Sequence, residues 1–201
     1  QNWNDDSAHV PYDQLQPYIQ DCLDLIEFAN GPADSEWGSK RAEMGHPEPF
    51  NLSLLEIGNE NYNYTSNGNN DQSDHYAERY KQFYDAIKAE YPQMQCIGNV
   101  EAWGTDFPSW RSQEPVDILD EHYYRNPMWF LDAYDKYDRY DRQGPKIYVG
   151  EYAVTSMFGK VGNQNAALGE AVYMMGMENN SDIVPLNSYA PIFVNENDAK
   201  W

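Results

Sequence analysis

Two carboxylates in this chain stand at the ends of short apolar runs. In one, the segment Leu52 to Ile57 runs into Gly58 and then into Asn59 and Glu60. In the other, Lys146-Ile147-Tyr148-Val149 runs into Gly150-Glu151-Tyr152. Apolar runs of this length, bounded by a turn residue, suit strands buried on both faces. Polar side chains at the carboxyl ends of parallel strands point into the mouth of an α/β fold, where active sites sit. Glu60 and Glu151 could then flank one scissile bond, one as acid/base and one as nucleophile, as glycoside cleavage requires. Asn59 is an amide that can orient Glu60 or its ligand. A lone strand-end glutamate is as readily an ion-pair partner or a helix cap, so the argument rests on the repeated pattern.

The elements that must position these groups follow from periodicity and from Gly/Pro punctuation. Asp13 to Ala29 has a broad helical apolar face, and Asn30-Gly31-Pro32 stops it. Residues 33–50 read as a loop. The nearly all-polar stretch 61–74 reads as an exposed loop whose acid spacing does not fit a calcium loop. A helix is expected from His75 to about Tyr91, with Asp74 as its cap, then a strand from Met94 to Val100. A long loop, 101–115, carries Trp103, Phe107 and Trp110. The strand Val116 to His122 delivers His122, Tyr123 and Tyr124. A helix over Pro127–Tyr140, the strand ending in Glu151, a helix over Gln164–Met177 and a strand over Ile183–Ser188 complete the order. Strands alternating with helices imply right-handed βαβ units, a parallel sheet and the α/β class.

The chain has 201 residues, 41% hydrophobic and 15% aromatic, which is enough for a core and argues against disorder. Its 17 Tyr and 6 Trp suit the stacking of sugar C–H faces, although most such rings belong in a core. A net charge of −20 repels nucleic acid and anionic membranes. No apolar run approaches the ~20 residues of a transmembrane helix. Cys22 and Cys96 read as separate thiols, and no CxxC or His/Cys cluster supports a metal; no cofactor is expected. Asn51, Asn63 and Asn179 begin glycosylation sequons, a weak signal in an Asn-rich chain. The chain begins at Gln1 without Met, so secreted and cytoplasmic locations both stay open, as does a homo-oligomer.

Several ordered motifs together resemble the α-L-arabinofuranosidases of glycoside hydrolase family 51. They are Gly58-Asn59-Glu60, Asp120-Glu121-His122-Tyr123-Tyr124 and Gly150-Glu151-Tyr152-Ala153, with the flanking text Gly45-His46-Pro47-Glu48-Pro49-Phe50-Asn51. The tail Asn180-Ser181-Asp182-Ile183-Val184 through Ser188-Tyr189-Ala190-Pro191 agrees as well. The resemblance runs from about Pro17 onward. It implies a (β/α)8 TIM barrel of which residues 1–201 are a partial catalytic domain, strands four to eight, without the family's C-terminal β-sandwich. It implies Glu60 as acid/base and Glu151 as nucleophile of a retaining reaction on arabinofuranoside-containing oligosaccharides or polysaccharides. It places Asn59 on the sugar hydroxyl beside the anomeric carbon, Tyr124 in support of the nucleophile and His122 near the acid/base. Glu56 and Glu121 read as structural and ion-paired. One departure stands out: the family's Glu-Arg-Asn-Ser-Asp is here Glu178-Asn179-Asn180-Ser181-Asp182, which is expected to weaken a structural ion pair and not catalysis. A related retaining barrel glycosidase, an endoglucanase or β-xylosidase, is the near alternative. A non-catalytic carbohydrate-binding protein is the distant one.

Overall fold

Pro17 sits in the first turn of α1 (Gln16–Asn30), where its missing N–H costs nothing, and Ile19, Ile26 and Ala29 form the buried stripe. The computed structural model describes residues 10–60, 73–99, 115–155, 162–193 and 197. Of the loops expected over 61–74 and 101–115, residues 61–72 and 101–114, with Trp103, Phe107 and Trp110, lie outside the described residues. Ser73 and Asp74 are helical, so that Asp74 lies inside the helix it was expected to cap. Described residues through Asn99, with 115–116, form one compact unit, and those from Asp117 onward form a second. No helix among the described residues is long and apolar enough to cross a membrane.

The first unit holds a helix that periodicity does not reveal. Residues 33–50 contain α2 (Glu36–Glu43), whose sequence EWGSKRAE has no apolar stripe. A cap starts it: the Ser35 hydroxyl accepts from Gly38 N at 3.1 Å. A buried cation holds it. Arg41 is 0% exposed and donates to the carbonyls of Phe28, Gly31, His46 and Pro47 at 2.6–3.1 Å. One guanidinium thereby fixes the end of α1 and the loop that leads to β1 (Leu54–Ile57). β1 pairs in parallel with β2 (Gln95–Asn99) through α3 (Ser73–Glu90). The expected limits of β1, α3 and β2 are thus correct to within two residues, whereas α1 starts three residues later than expected.

In the second unit β3 (Ile118–Arg125), β4 (Lys146–Val154) and β5 (Leu186–Tyr189) are parallel, with β4 between the other two. α4 (Pro127–Asp132) is capped by Asn126 and α5 (Gln164–Asn179) by Asn163. The helix expected over Pro127–Tyr140 is broken: after α4 the chain turns and resumes as a 3-10 segment, Lys136–Arg139. The break lets α5 approach. A Cβ on Gly169 would lie 2.7 Å from Pro127 O, and one on Gly176 2.0 Å from Tyr134 O. Arg142 pairs with Asp182 at 3.0 Å and hydrogen-bonds Asn180, tying down the turn after α5.

The helix-covered face of this sheet buries Tyr123, Phe130, Tyr137, Tyr152 and Tyr173. Tyr123 stacks on Trp129 at 4.9 Å, and Tyr173 meets both Tyr123 and Tyr152 edge-on. Among these rings lies Glu121, 0% exposed. Its partners are hydroxyls, not the acid–base pair expected: Tyr123, Tyr137 and Tyr140 donate to it at 2.8–3.0 Å. Lys136 sits over the three donor rings at 5.2–5.8 Å. Cys22 and Cys96 are separate thiols.

Two outcomes follow from these buried charges. Arg41→Ala should strand four carbonyls and lower the unfolding free energy by at least about 3 kcal/mol, and Arg41→Lys should not restore it, as chemical denaturation would read. Burial pushes the Glu121 carboxyl above its ordinary 4.5, against the opposing pull of Lys136 and the hydroxyls. The folded chain therefore holds that proton to higher pH than the unfolded chain does. Glu121's contribution is full below that ordinary value and is lost as pH rises through the folded one. Urea titrations from pH 4 to 7 should show a flatter pH slope for Glu121→Gln than for wild type.

Candidate active site

In the first unit Tyr76, on the first turn of α3, ties the two strand ends together. Its hydroxyl donates to Ile57 O at 2.6 Å and accepts from Asn99 N at 2.9 Å. Asn99, 3% exposed, donates to Glu56 at 3.2 Å, so Glu56 also has an amide partner. Immediately beyond this clamp the backbone turns sharply. Gly58 has φ 92° and Glu60 has φ 49°. The first value explains the glycine; the second is uncommon for a side-chain-bearing residue and typical of positions held for a purpose. Glu60 is half-buried and Asn59 is exposed.

In the second unit β4 carries one residue more than either neighbour. Asp120 faces Tyr148 and His122 faces Glu151, so two steps on β3 match three on β4. Against β5, Val149 faces Asn187 and Tyr152 faces Tyr189, again three steps against two. The surplus is a β-bulge at Gly150-Glu151. Val149 and Tyr152 are fully buried, and the Tyr152 ring packs against the helices; Gly150 and Glu151 both turn to the opposite face. Without the bulge, strict alternation would send Glu151 into the helix layer.

On that face the structure brings together Glu151, His122 and Tyr124, successive same-face residues of β3 being Asp120, His122 and Tyr124. The Tyr124 hydroxyl donates to Glu151 Oε2, a charge-assisted bond. His122 Nδ1 lies 3.8 Å from the same oxygen, and the Glu151 side chain remains 30% exposed. Asp120, 2% exposed, joins this group although its motif alone assigns it no role. Its Oδ1 accepts from Gly150 N at 2.9 Å. Its Oδ2 makes a 2.6 Å ion-pair contact with His122 Nε2, off the line of a hydrogen bond, and is otherwise unsatisfied among the described residues. The i, i+2 spacing of Asp120 and His122 on a strand was the signal that could have found it. Behind the strand end Glu170 accepts from Val154 N at 2.6 Å and Tyr189 at 3.0 Å, and burial, with Glu170 second, pushes the Tyr189 hydroxyl to about 12.

A family model described as the α-L-arabinofuranosidase 1 domain matches residues 2–142, and one described as the α-L-arabinofuranosidase C-terminal domain matches 150–199. The boundary between them separates β3 from most of β4, although the two strands are paired. An extracellular exo-α-L-arabinofuranosidase of Streptomyces chartreusis is 47% identical over 93% of this chain and 22% of its own length. α-L-Arabinofuranosidase 1 of Arabidopsis thaliana is 43% identical over 93% of this chain and 26% of its own. The chain thus spans about a quarter of the length of these curated relatives. A solved arabinose-bound family 51 α-L-arabinofuranosidase superposes on 96% of this chain and 31% of that one, with TM-score 0.78 and 34% identity. The fold is accordingly part of a (β/α)8 barrel.

The contact between Asp120 and Gly150 has a stability signature. A Cβ at position 150 would lie 2.1 Å from Asp120 Oδ1. Gly150→Ala should destabilise by about 1–3 kcal/mol through overpacking. Combined with Asp120→Ala it should cost clearly less than the two single changes added, which denaturation midpoints of the four proteins would read.

Proposed function

The chain belongs to the family 51 α-L-arabinofuranosidases, and on that footing we propose that the protein is a retaining hydrolase releasing terminal α-L-arabinofuranosyl residues from plant oligosaccharides or polysaccharides. Glu151 is the nucleophile and Glu60 the acid/base. The observation that carries the reading is the seat of Glu151: a half-buried carboxylate re-aimed by a bulge, held by the Tyr124 hydroxyl and flanked by His122. Glu60 adds a carboxylate on a strained turn, with the amide of Asn59 beside it to bind the adjacent sugar hydroxyl.

In the first step a Glu151 oxygen bonds to the anomeric carbon while the aglycone oxygen departs with the proton of Glu60. The covalent ester neutralises Glu151. In the second step Glu60, now a carboxylate, takes a proton from water as the water oxygen bonds to the anomeric carbon and the ester breaks. Two inversions give net retention. The Tyr124 hydrogen bond holds one carboxylate oxygen of Glu151 and stabilises it as leaving group in the second step.

The roles are separable by kinetics of the full-length protein on a chromogenic aryl arabinofuranoside, with glucoside and xyloside analogues as controls. Glu151→Ala should lower kcat/KM by about four orders of magnitude or more. Glu60→Ala should retain the first step on the activated aryl substrate, stall in the second, and be rescued by azide to an arabinosyl azide of retained configuration. Azide rescue of Glu151→Ala to an inverted product, without rescue of Glu60→Ala, would reverse the assignment. An experimental structure should place the two carboxyls about 5–5.5 Å apart.

A further inference from the structure

We propose that Asp120 is a positioning residue for this hydrolysis, acting through both the nucleophile's backbone and His122; the inference rests on the assignment of Glu151 above. One buried carboxylate touches the two features that aim Glu151. Through Oδ1 it accepts the Gly150 N–H at 2.9 Å, the peptide group immediately before Glu151. A bulge removes that segment from the regular strand ladder, and a buried N–H without a partner is costly, so Asp120 both satisfies and fixes it. Through Oδ2 it lies 2.6 Å from His122 Nε2. A carboxylate cannot sit at that distance from a nitrogen lone pair, so Nε2 carries the hydrogen. The other ring nitrogen, Nδ1, faces Glu151 Oε2 at 3.8 Å. Asp120 therefore selects what His122 presents to the nucleophile.

A purely structural Asp120 would only staple the bulge, and asparagine would serve equally. Asp120→Asn separates the two cases, because its side-chain oxygen can still accept from Gly150 N. Its amide then turns –NH2 toward Nε2, which must become an acceptor. The imidazole hydrogen moves to Nδ1, on the side of Glu151. The substitution changes the ring's tautomer while the bulge stays in place.

The test uses the full-length protein with 15N-labelled histidine, together with kinetics on an aryl arabinofuranoside. In wild type the His122 Nε2 signal should be of the protonated type, and in Asp120→Asn of the unprotonated type. kcat of Asp120→Asn should fall on the order of 10–100-fold while KM changes less than about threefold, since ground-state sugar contacts are untouched. In a His122→Gln background the same Asp→Asn change should lower kcat far less. An unprotonated Nε2 in wild type overturns the proposal without any variant needing to fold. So does an Asp120→Asn enzyme with unchanged kcat. A wild-type protein inert toward arabinofuranosides that still shows the tautomer switch would overturn the functional reading and uphold the Asp120–His122 coupling.

Discussion

The hydrogen bond from Gly150 N to the Asp120 carboxylate lets one strand do two incompatible things. β4 must bury Val149 and Tyr152 against the helices and yet present Glu151 on the opposite face. Regular alternation forbids that combination, since three steps separate positions 149 and 152. The extra residue resolves the parity, and the Asp120 carboxylate accommodates the backbone it displaces. The contact excludes a side chain at position 150. The glycines of the two Gly-containing motifs thus have unrelated causes. Gly58 is present for its positive φ, Gly150 for the closeness of an oxygen atom.

The opposite face of β3 is held just as firmly by different means. Glu121 gathers three tyrosine hydroxyls from β3 and from the segment after α4, and Tyr137 passes the chain on to Tyr173 of α5 at 2.6 Å. A buried carboxylate satisfied by three donors fixes the rotation of the strand about its own axis more tightly than apolar packing would, because each hydroxyl has a direction. α5 can lie close enough to take part only because Gly169 and Gly176 carry no side chain. The orientation of His122 and Tyr124 is therefore set from behind as well as from the side.

The α/β alternation and most strand positions were legible in the sequence because buried strands announce themselves as short apolar runs. Glu151 was marked by its Gly-Glu strand ending, and His122 and Tyr124 by the family's His-x-Tyr pattern, which apolar patterning alone does not single out. α2 was not legible: its stability comes from a Ser35 cap and the buried Arg41, neither of which leaves a periodic trace. Nor was the break after Asp132, where α5's close approach decides the geometry and local propensity does not. The bulge was hidden for a simpler reason. One sequence read alone has no register, and an extra residue exists only relative to a neighbouring strand.

Asp120, Glu121, His122, Tyr123 and Tyr124 form an unbroken polar run in a buried strand, an arrangement that hydrophobic patterning alone would reject. Alternation divides it. Odd positions serve cohesion: Glu121 collects hydroxyls and Tyr123 stacks on Trp129. Even positions face Glu151: Asp120 holds its backbone, His122 lies beside it and Tyr124 donates to it. Each polar group is costly to bury, and each is compensated by a partner on its own face. A substitution at an odd position should therefore act first on folding and one at an even position first on turnover. The period of two that builds the strand also separates the two kinds of effect.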